Sequence, residues 1–407
     1  VSGAGGIIVD YKERTVKIEG LTLKEGDFIS LNGTTGCVYA GEIPTEAAEL
    51  SGDFAELMDL CAKYSRLQVR TNADTPQDAL VAAKFGAVGI GLCRTEHMFF
   101  EPEKIVAMRE MILSETAEGR EKALEKILPY QKADFLGIFR AMDGKPVNVR
   151  LLDPPLHEFV PHDQAGQEEM AKAMGVTVEY IRQRVNSLVE ANPMLGHRGC
   201  RLGNTYPEIT AMQTRAILGA AVELKKEGLD PHPEIMVPLT GILYEFESQE
   251  KVIRDTAAKL FAEEGVSVDF KVGTMIEIPR AALTADRIAT RAEYFSFGTN
   301  DLTQMTFGYS RDDIASFLPV YLEKKILKVD PFQVLDQKGV GQLIRMAVEK
   351  GRSVRPELKC GICGEHGGEP SSVKFCHRVG LDYVSCSPFR VPIARLAAAQ
   401  AAVEEAK

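Results

Sequence analysis

Eight short apolar segments alternate with long amphipathic helices from residue 67 onward, and this alternation constrains the fold more than any other feature. The strand candidates are LQVRT (67–71), AVGIGLCRT (87–95), PVNVRLL (146–152), HRGCRL (197–202), EIMVPL (234–239), KVGTMIEI (271–278), YFSFGT (294–299) and KCGIC (359–363). Short apolar runs of this kind are typical of buried parallel strands. Eight strand–helix units predict an α/β fold, a (β/α)₈ TIM barrel. A doubly wound sheet is the alternative, but LQVRTNAD lacks the glycine-rich loop that normally follows its first strand.

Helix boundaries within this region are marked by local signals. Thr75 and Pro76 form a cap and a first-turn proline, and Gly86 is the expected stop. An apolar stripe at helical spacing begins at Val340 and is expected to end at Gly351. A later strand-like run, DYVSCSP, contains Tyr383.

The sequence before residue 67 shows a different pattern of apolar and polar residues. Residues 1–45 alternate in short β-like runs separated by glycines, and residues 46–66 read as a helical linker with Gly52 inside. We therefore predict three parts: a small β-rich remnant of another domain (1–45), a linker helix (46–66) and the barrel (67–407). Because the chain begins at Val1 rather than Met, we expect a fragment or a processed form.

Composition narrows the possible partners and compartments. The net charge is −10, which argues against nucleic acid as the main partner. No apolar run approaches the ~20 residues that a membrane-spanning helix needs, so no membrane partner is expected. Eight cysteines scattered through 407 residues fit a reducing, cytoplasmic compartment better than a disulfide scaffold.

Polar residues follow most of the predicted strands, where barrel enzymes place their catalytic groups. These residues are Arg94, Arg150, Arg198 or Arg201, Glu277, Asn300 with Asp301, and Cys363. Several arginines at one mouth can clamp phosphate and carboxylate, because a guanidinium binds both in a bidentate manner. The alternative is a set of salt bridges on the rim, each worth about 0–1 kcal/mol.

Two of these residues are carboxylates without a histidine beside them. Glu277 and Asp301 offer hard oxygen ligands, which suit Mg²⁺, whereas zinc prefers sulfur and nitrogen donors. A small ligand that carries both phosphate and carboxylate, bridged by Mg²⁺, would fit such a mouth. Phosphoenolpyruvate is one candidate of this kind.

The segment EYFSFGTNDLTQMTFGYSR (293–311) closely resembles the signature of the phosphoenolpyruvate-utilising enzymes. Further blocks resemble the same family: GIGLCRTEHMF (89–99), VNVRLLDPP (147–155), NPMLGHRGCRL (192–202), VGTMIEIPRAAL (272–283) and CGICGEHGGEP (360–370). The resemblance covers essentially 67–407. Two segments, LLDPPLHEFVPH and GHRGCRLGNTYPEI, resemble the dikinase branch more than phosphoenolpyruvate synthase or Enzyme I of the sugar phosphotransferase system. The segment GTTGCVYAGEIP resembles the end of the family's phosphohistidine domain.

The resemblance implies a phosphotransferase half-reaction between a phosphohistidine and the enolate of pyruvate. Arg94 and Arg150 would hold the phosphoryl group, and Cys363 would be the acid/base at the methyl carbon. Glu277 and Asp301 would bind Mg²⁺, with a monovalent cation as a further possible cofactor. The remaining predicted substrate-binding residues are Arg198, Thr299, Asn300 and Arg311. The phosphohistidine motif and the ATP-binding domain are absent from these 407 residues, so we expect the partial chemistry only, in a homodimer.

KCGICGEH (359–366) leaves several interpretations open. Its spacing could indicate half of a zinc site, but Cys376 and His377, which lie next to each other, do not supply a matching second pair. A redox pair normally opens a helix, whereas this pair lies along a predicted strand. Residues 360 and 363 then point to opposite faces, which predicts packing for Cys360 and a place at the mouth for Cys363. His366 could assist proton transfer or bind backbone.

Two functions of other classes remain as alternatives. A Mg²⁺-dependent aldolase or lyase that acts through pyruvate enolate would also use a Glu and an Asp, but it would not need several phosphate-binding arginines. A non-catalytic dimerisation module would bind no ligand.

Overall fold

The computed structural model describes residues 6–11, 13–18, 20–33, 35–45 and 51–406. The chain divides into two compact units between residues 50 and 51. The strands of the first unit are β1 (Ile7–Asp10), β2 (Thr15–Ile18), β3 (Leu21–Lys24), β4 (Ile29–Asn32) and β5 (Cys37–Ala40). The first three form an antiparallel sheet and the last two an antiparallel pair, so this part is β-rich as predicted. Val1 and residues 46–50 of the predicted linker lie outside the described residues.

The second unit contains a closed parallel barrel. Its strands within the described residues are β6 (Gln68–Asn72), β7 (Ile90–Arg94), β8 (Pro146–Arg150), β9 (His232–Val237), β10 (Lys271–Ile276), β11 (Tyr294–Gly298), β12 (Lys359–Cys363) and β13 (Tyr383–Cys386). Each strand pairs with the next along the chain, and β13 pairs with β6 to close the ring. The predicted (β/α)₈ TIM barrel is confirmed.

Helices lie around the barrel and at its mouth. Their bounds are α1 (Gly52–Tyr64), α2 (Pro76–Lys84), α3 (Pro102–Leu113), α4 (Ala117–Ala141), α5 (Gln164–Met174), α6 (Val178–Ser187), α7 (Gly199–Thr205), α8 (Pro207–Lys226), α9 (Leu243–Glu264), α10 (Pro279–Leu283), α11 (Ala285–Ile288), α12 (Thr299–Phe307), α13 (Leu318–Glu323), α14 (Val340–Val354), α15 (Pro370–Val379) and α16 (Val391–Glu405). Within the described part of the chain, no helix combines the length and apolar character that crossing a membrane requires.

The predicted helix boundaries are partly correct. Thr75 caps α2, with its hydroxyl accepting from the Asp78 amide at 3.1 Å, and Gly86 follows the helix at φ +85°. In the linker, α1 begins at Gly52 instead of passing through it. The predicted stop at Gly351 is wrong, because α14 continues to Val354. A Cβ at this glycine would lie 2.5 Å from Leu358 and 2.9 Å from Phe295, so Gly351 allows close packing.

The predicted strand at 197–202 is wrong, because this segment forms the start of α7. Gly199 adopts φ +57°, which a strand does not tolerate, and its N–H donates to the Asp153 carbonyl oxygen at 3.0 Å. The Cys200 N–H donates to the Pro238 carbonyl oxygen at 3.1 Å. The segment therefore lies against the ends of other strands rather than between two of them.

The eighth strand is the later run that contains Tyr383. β13 pairs with β12 on one side and with β6 on the other, although it is only four residues long. KCGIC is consequently the seventh strand of the barrel and not the eighth.

Charged and polar side chains cross the interior of the barrel. Arg70 on β6 is 0% exposed, and its guanidinium donates to both carboxylate oxygens of Glu234 on β9, at 2.6 and 3.3 Å. The Tyr294 hydroxyl donates to Asn148 at 2.9 Å. The Arg70 guanidinium also lies over the ring of Tyr383, 4.2 Å from its centroid. These contacts tie opposite sides of the barrel together below the mouth.

Candidate functional site

The carboxyl ends of the strands surround a pocket of about 230 Å³. Its lining residues are Arg94, Arg150, Asp153, Pro154, Pro155, Glu158, Met194, Arg198, Asn300, Asp301, Gln304, Arg311 and Asp312. Six of the nine residues predicted to form the site therefore lie around one pocket. The other three, Glu277, Thr299 and Cys363, are buried beside it and are not part of its lining.

Two of the pocket arginines are held by carboxylates. Arg150 contacts Asp153 at 2.8 Å and also forms a short ion pair with Glu96. Arg198 contacts the same oxygen of Asp153 at 2.6 Å, and Asp301 lies 3.9 Å away. Burial raises the pKa of Asp153, but Arg150 and Arg198 outweigh it, so this pKa lies below its ordinary value. Asp153 thus stays ionised and fixes both guanidinium groups.

The other two pocket arginines are free of such partners. Among the described residues, neither Arg94 nor Arg311 forms a salt bridge. Their backbone amides are fixed instead: the Arg94 N–H donates to Asp74 at 2.6 Å and the Arg311 N–H donates to Gln304 at 2.9 Å. Their guanidinium groups are thus available to an anionic ligand.

The choice between Arg198 and Arg201, which the sequence left open, is resolved by position. Arg198 lines the pocket, whereas Arg201 donates to the carbonyl oxygens of Leu195 and Gly196 at 3.0 and 2.9 Å. Arg201 therefore supports the loop that precedes α7.

The two candidate metal ligands lie close enough to affect each other's charge. Glu277 is 0% exposed, and burial together with the charges of Asp301 and Asp153 raises its pKa well above the ordinary value. Burial also raises the pKa of Asp301, although Arg198 acts in the opposite direction. One carboxylate oxygen of Glu277, Oε1, accepts from the Leu239 amide at 2.7 Å.

The second oxygen of Glu277, Oε2, is buried and has no hydrogen-bond partner among the described residues. A Cβ at Gly298 would lie 2.6 Å from this oxygen, so the glycine leaves room beside it. Two converging carboxylates, one with a free buried oxygen, are a donor set that fits a divalent cation such as Mg²⁺. The described residues contain no group of three or more His, Cys, Asp and Glu side chains arranged to hold a metal. A cation would therefore complete its coordination with water or substrate oxygens.

Cys363 ends β12 and is 2% exposed. The Ser296 hydroxyl lies 3.7 Å from its sulfur. Burial raises the pKa of the Cys363 thiol to about 11, against the opposing effects of Ser296, Arg94 and Arg150. The thiol packs in the barrel interior with Leu92, Met236, Met275 and Tyr294.

Cys360 has different surroundings. It is 0% exposed, its sulfur lies 3.6 Å from the Leu358 carbonyl oxygen, and burial raises its pKa to about 12. The two thiols therefore have separate environments, as the strand spacing predicted.

Sequence reasoning missed several residues of the pocket. Gln304 lies one helical turn after Asn300 on α12, and this spacing could have identified it. Met194 and Glu158 lie in short 3₁₀ helices and Asp312 lies in a turn, and none of the three carries a local signal. Together with Gln304 they also line an adjoining cavity of about 730 Å³, so the pocket opens into a larger space.

Curated relatives of the chain include pyruvate, phosphate dikinases from distant organisms. The chain is 59% identical over 404 residues to pyruvate, phosphate dikinase of Clostridium symbiosum, which covers 99% of this chain and 46% of that protein. It is 58% identical over 405 residues to the chloroplastic pyruvate, phosphate dikinase 1 of Arabidopsis thaliana, with 99% and 42% covered. The enzyme of Giardia intestinalis is 55% identical over 404 residues, with 99% and 46% covered. The chain thus spans less than half the length of these relatives.

One family matches the chain over most of its length. The PEP-binding domain of PEP-utilising enzymes, where PEP is phosphoenolpyruvate, matches residues 48–403. This range includes every strand of the barrel and every residue around the pocket. The resemblance predicted from the segment at 293–311 is thereby confirmed. The chain belongs to the PEP-utilising enzymes, and it contains their PEP-binding domain.

Proposed function

We propose that this chain binds phosphoenolpyruvate and pyruvate with Mg²⁺ and performs the corresponding half of the pyruvate, phosphate dikinase reaction. In that half, a phosphoryl group moves between a phosphohistidine and the enolate oxygen of pyruvate. One observation carries the proposal. A single pocket combines two guanidinium groups, on Arg94 and Arg311, that have no salt-bridge partner in the described part of the chain with two carboxylates, Glu277 and Asp301, that lie close together beside it. The names of the relatives support the same reaction.

The positive side chains bind and orient the phosphoryl group. Arg94 forms no salt bridge with any described carboxylate, so its charge is available to a ligand in the pocket. Arg150 and Arg198 are held in place by Asp153 and offer preorganised donors. Such fixed charges stabilise phosphoryl transfer because they need no rearrangement as charge develops. Asn300, with Thr299 before it, offers an amide to the substrate carboxylate.

Glu277 and Asp301 would hold the divalent cation. When bound, Mg²⁺ neutralises negative charge on the substrate oxygens and on the enolate. The buried Oε2 atom of Glu277, next to the space that Gly298 leaves, would be available to such a cation. Burial is the main cause that raises both pKa values, and the charge of Asp153 adds to it, whereas Arg150 and Arg198 act in the opposite direction.

Cys363 moves the proton at the methyl carbon. When phosphoenolpyruvate loses its phosphoryl group, the enolate takes a proton from the thiol, which leaves pyruvate and a thiolate. In the reverse direction the thiolate removes a proton from the methyl group of pyruvate. The raised pKa keeps the resting group as a thiol, which suits the first of these directions.

We extend the proposal to further domains, a compartment and an oligomeric state, none of which this chain alone defines. In the relatives the matched segment is less than half of the chain, and we assign the phosphohistidine and ATP-binding functions to domains beyond these 407 residues. The eight cysteines are free thiols, which supports a reducing compartment such as the cytoplasm. A homodimer and an additional monovalent cation complete the proposal on the basis of family resemblance, and sedimentation and cation titration test them.

Two measurements on the chain test the proposal. Calorimetric titration should detect phosphoenolpyruvate binding that requires Mg²⁺, and nuclear magnetic resonance should detect deuterium exchange at the methyl group of pyruvate. Arg94→Ala should weaken phosphoenolpyruvate binding by roughly tenfold or more, because a charge-assisted contact is lost. Arg390→Ala is the matched control, since Arg390 lines a neighbouring cavity and not the pocket.

The proposal would be refuted if the unmodified chain showed no phosphoenolpyruvate binding and no exchange of pyruvate methyl protons. Complete turnover of ATP, phosphate and pyruvate by these 407 residues would refute the assignment to a half-reaction. Pyruvate chemistry with an aldehyde acceptor that survives Arg94→Ala would point to a lyase instead.

A further inference from the structure

His366 joins three parts of the barrel mouth through its two ring nitrogens. It lies in the short helical turn Glu365–Gly368 directly after β12, and it is 0% exposed. Its Nδ1 atom lies 2.7 Å from the Thr299 hydroxyl oxygen, and its Nε2 atom lies 2.9 Å from the Pro331 carbonyl oxygen. Thr299 begins α12, and Pro331 belongs to the segment between α13 and α14. One imidazole thus connects β12, α12 and that segment.

The contacts fix the tautomer of this ring. The Pro331 carbonyl oxygen can only accept a hydrogen bond, so Nε2 carries the proton. Burial lowers the pKa of His366 and keeps the ring neutral, which leaves Nδ1 as an acceptor. The groups that act in the opposite direction are the Pro331 carbonyl, Glu369, Glu365 and Asp330. The Thr299 hydroxyl has two possible acceptors, Nδ1 of His366 at 2.7 Å and the Cys363 carbonyl oxygen at 3.1 Å. It therefore donates to the nearer one, Nδ1.

The position of Thr299 matters because the next two residues line the pocket. Asn300 and Asp301 belong to the first turn of α12 and move with it. The packing opposite leaves little space: Gly364 adopts φ +99°, and a Cβ there would lie 3.2 Å from the Asn300 side-chain oxygen and 3.3 Å from the Thr299 hydroxyl. The start of α12 is thus held against the end of the strand that carries Cys363.

His366 itself does not face the substrate. It is not among the residues that line the pocket, and both of its nitrogens already have partners. Because both nitrogens are engaged, the geometry favours a positioning role over direct proton transfer, one of the roles considered from the sequence.

We propose that His366 is a positioning residue, which as the neutral Nε2–H tautomer holds Thr299, and with it Asn300 and Asp301, in place beside Cys363. The catalytic consequence of this inference rests on the proposed function. The hydrogen-bonded geometry does not, and it can be tested separately.

Two substitutions separate the two contacts of the ring. The side-chain oxygen of His366→Asn lies near the position of Nδ1 and can accept from Thr299. The side-chain nitrogen of His366→Gln can reach Pro331 but leaves the Thr299 hydroxyl without its acceptor. We expect His366→Gln to weaken Mg²⁺-dependent phosphoenolpyruvate binding and slow pyruvate exchange by roughly tenfold, and His366→Asn to restore both to within about threefold of the parent.

A second pair of variants tests whether His366 acts through Thr299. Thr299→Val should show the same loss as His366→Gln, and the double variant should lose no more than either one, because residues that act through one contact are not additive. His377→Gln is the matched control. His377 is equally buried, at 1% exposed, but its ring contacts Glu405 on α16. It should lower stability without changing binding or exchange.

The tautomer of the His366 ring can be measured directly by nuclear magnetic resonance. Imidazole ¹⁵N shifts should show a neutral Nε2–H ring between about pH 6 and pH 8. An Nδ1–H ring, or additive losses in the His366→Gln/Thr299→Val double variant, would overturn the inference. If the parent neither binds phosphoenolpyruvate nor exchanges pyruvate protons, the proposed function fails. The ¹⁵N shifts and a double-variant cycle in urea unfolding still decide the role of His366.

Discussion

At the scale of single residues, Asp153 divides the pocket arginines into two kinds. Its carboxylate contacts Arg150 and Arg198, whereas Arg94 and Arg311 form no salt bridge within the described ranges. Two guanidinium groups are thus fixed before a ligand arrives, and two keep unshared charge. The salt bridges that were the alternative considered from the sequence are therefore present at Arg150 and Arg198, but not, among the described residues, at Arg94 and Arg311.

The positions of most of these residues could be predicted from the ends of the strands, but the contacts between their side chains could not. A polar residue directly after an apolar run predicts a side chain at the barrel mouth, and this rule found Arg94, Arg150 and Glu277. It could not show that Asp153 serves two arginines, since that contact joins β8 to α7 across 45 residues. Long-range pairs of this kind depend on the packed fold, and no spacing in the chain encodes them.

Cys363→Ala should reduce exchange of pyruvate methyl protons by at least ~100-fold, because the group that carries the proton is removed. In the parent, the exchange rate should rise about tenfold per pH unit up to about pH 11. The reason is that the fraction of Cys363 present as the reactive thiolate increases with pH until the pH reaches the pKa of the thiol. Deuterium incorporation followed by nuclear magnetic resonance measures both effects. Cys360→Ala is the control and should leave exchange unchanged. A flat pH profile would contradict the assignment of the thiol.

Glu277→Gln should stabilise the metal-free protein and remove its response to Mg²⁺. The folded state raises the Glu277 pKa above its ordinary 4.5, so the folded chain binds a proton more tightly than the unfolded chain. Stability therefore falls as pH rises from about 4.5 through the raised pKa, and at neutral pH the buried charge is a cost. The glutamine keeps an oxygen for the Leu239 amide. Thermal unfolding should show a midpoint roughly 2 °C higher or more.

The same variant should show no further rise in midpoint when Mg²⁺ and phosphoenolpyruvate are added, whereas the parent should. Glu245→Gln provides a comparison, because this carboxylate also accepts backbone amides but lies at the start of α9. An unchanged Mg²⁺ response in Glu277→Gln would remove Glu277 from the metal site.

At the scale of elements, two short segments decided how well the barrel could be predicted. HRGCRL was predicted to be a strand, but Gly199 adopts a left-handed conformation that starts α7. DYVSC carries the true eighth strand in only four residues, too few for its periodicity to stand out. The other seven strands were found because their apolar runs are continuous and flanked by clear helices. Where an element is short, tertiary packing outweighs local pattern.

Gly199→Ala should destabilise the protein and weaken the pocket at the same time. The substitution adds strain at φ +57° and a Cβ within 2.8–3.1 Å of the Leu239 side chain. We expect a loss of roughly 2–4 kcal/mol in the free energy of unfolding, from strain and overpacking together. Phosphoenolpyruvate binding should also weaken, because Arg198 immediately precedes this residue.

Gly228→Ala separates strain from packing. Gly228 adopts φ +92° with no atom within 4 Å of the added Cβ, so only the conformational cost, about 1 kcal/mol, should appear. Urea unfolding and calorimetric titration of the two variants give the comparison. Equal losses in both would mean that the Leu239 contact is unimportant.

At the scale of the whole molecule, the barrel encloses charge as well as apolar packing. Arg70 and Glu234 belong to β6 and β9, which lie on different sides of the ring, and both are buried. Burial of one charge without the other is far more costly than burial of the pair. The pair therefore favours the one closed arrangement in which these strands face each other. The sequence predicted the strands but not this contact.

Arg70→Met should be the most damaging single change proposed for the barrel. It leaves the Glu234 carboxylate buried with only Lys359, 3.9 Å away, as a charged neighbour. We expect a loss of roughly 3–5 kcal/mol in the free energy of unfolding, measured by urea denaturation. The double variant Arg70→Met/Glu234→Leu should recover most of that loss, because the charge that remains nearby, on Lys359, belongs to a side chain that is 27% exposed. A double variant as unstable as the single one would show that packing around Arg70, including its contact with the Tyr383 ring, matters more than its charge.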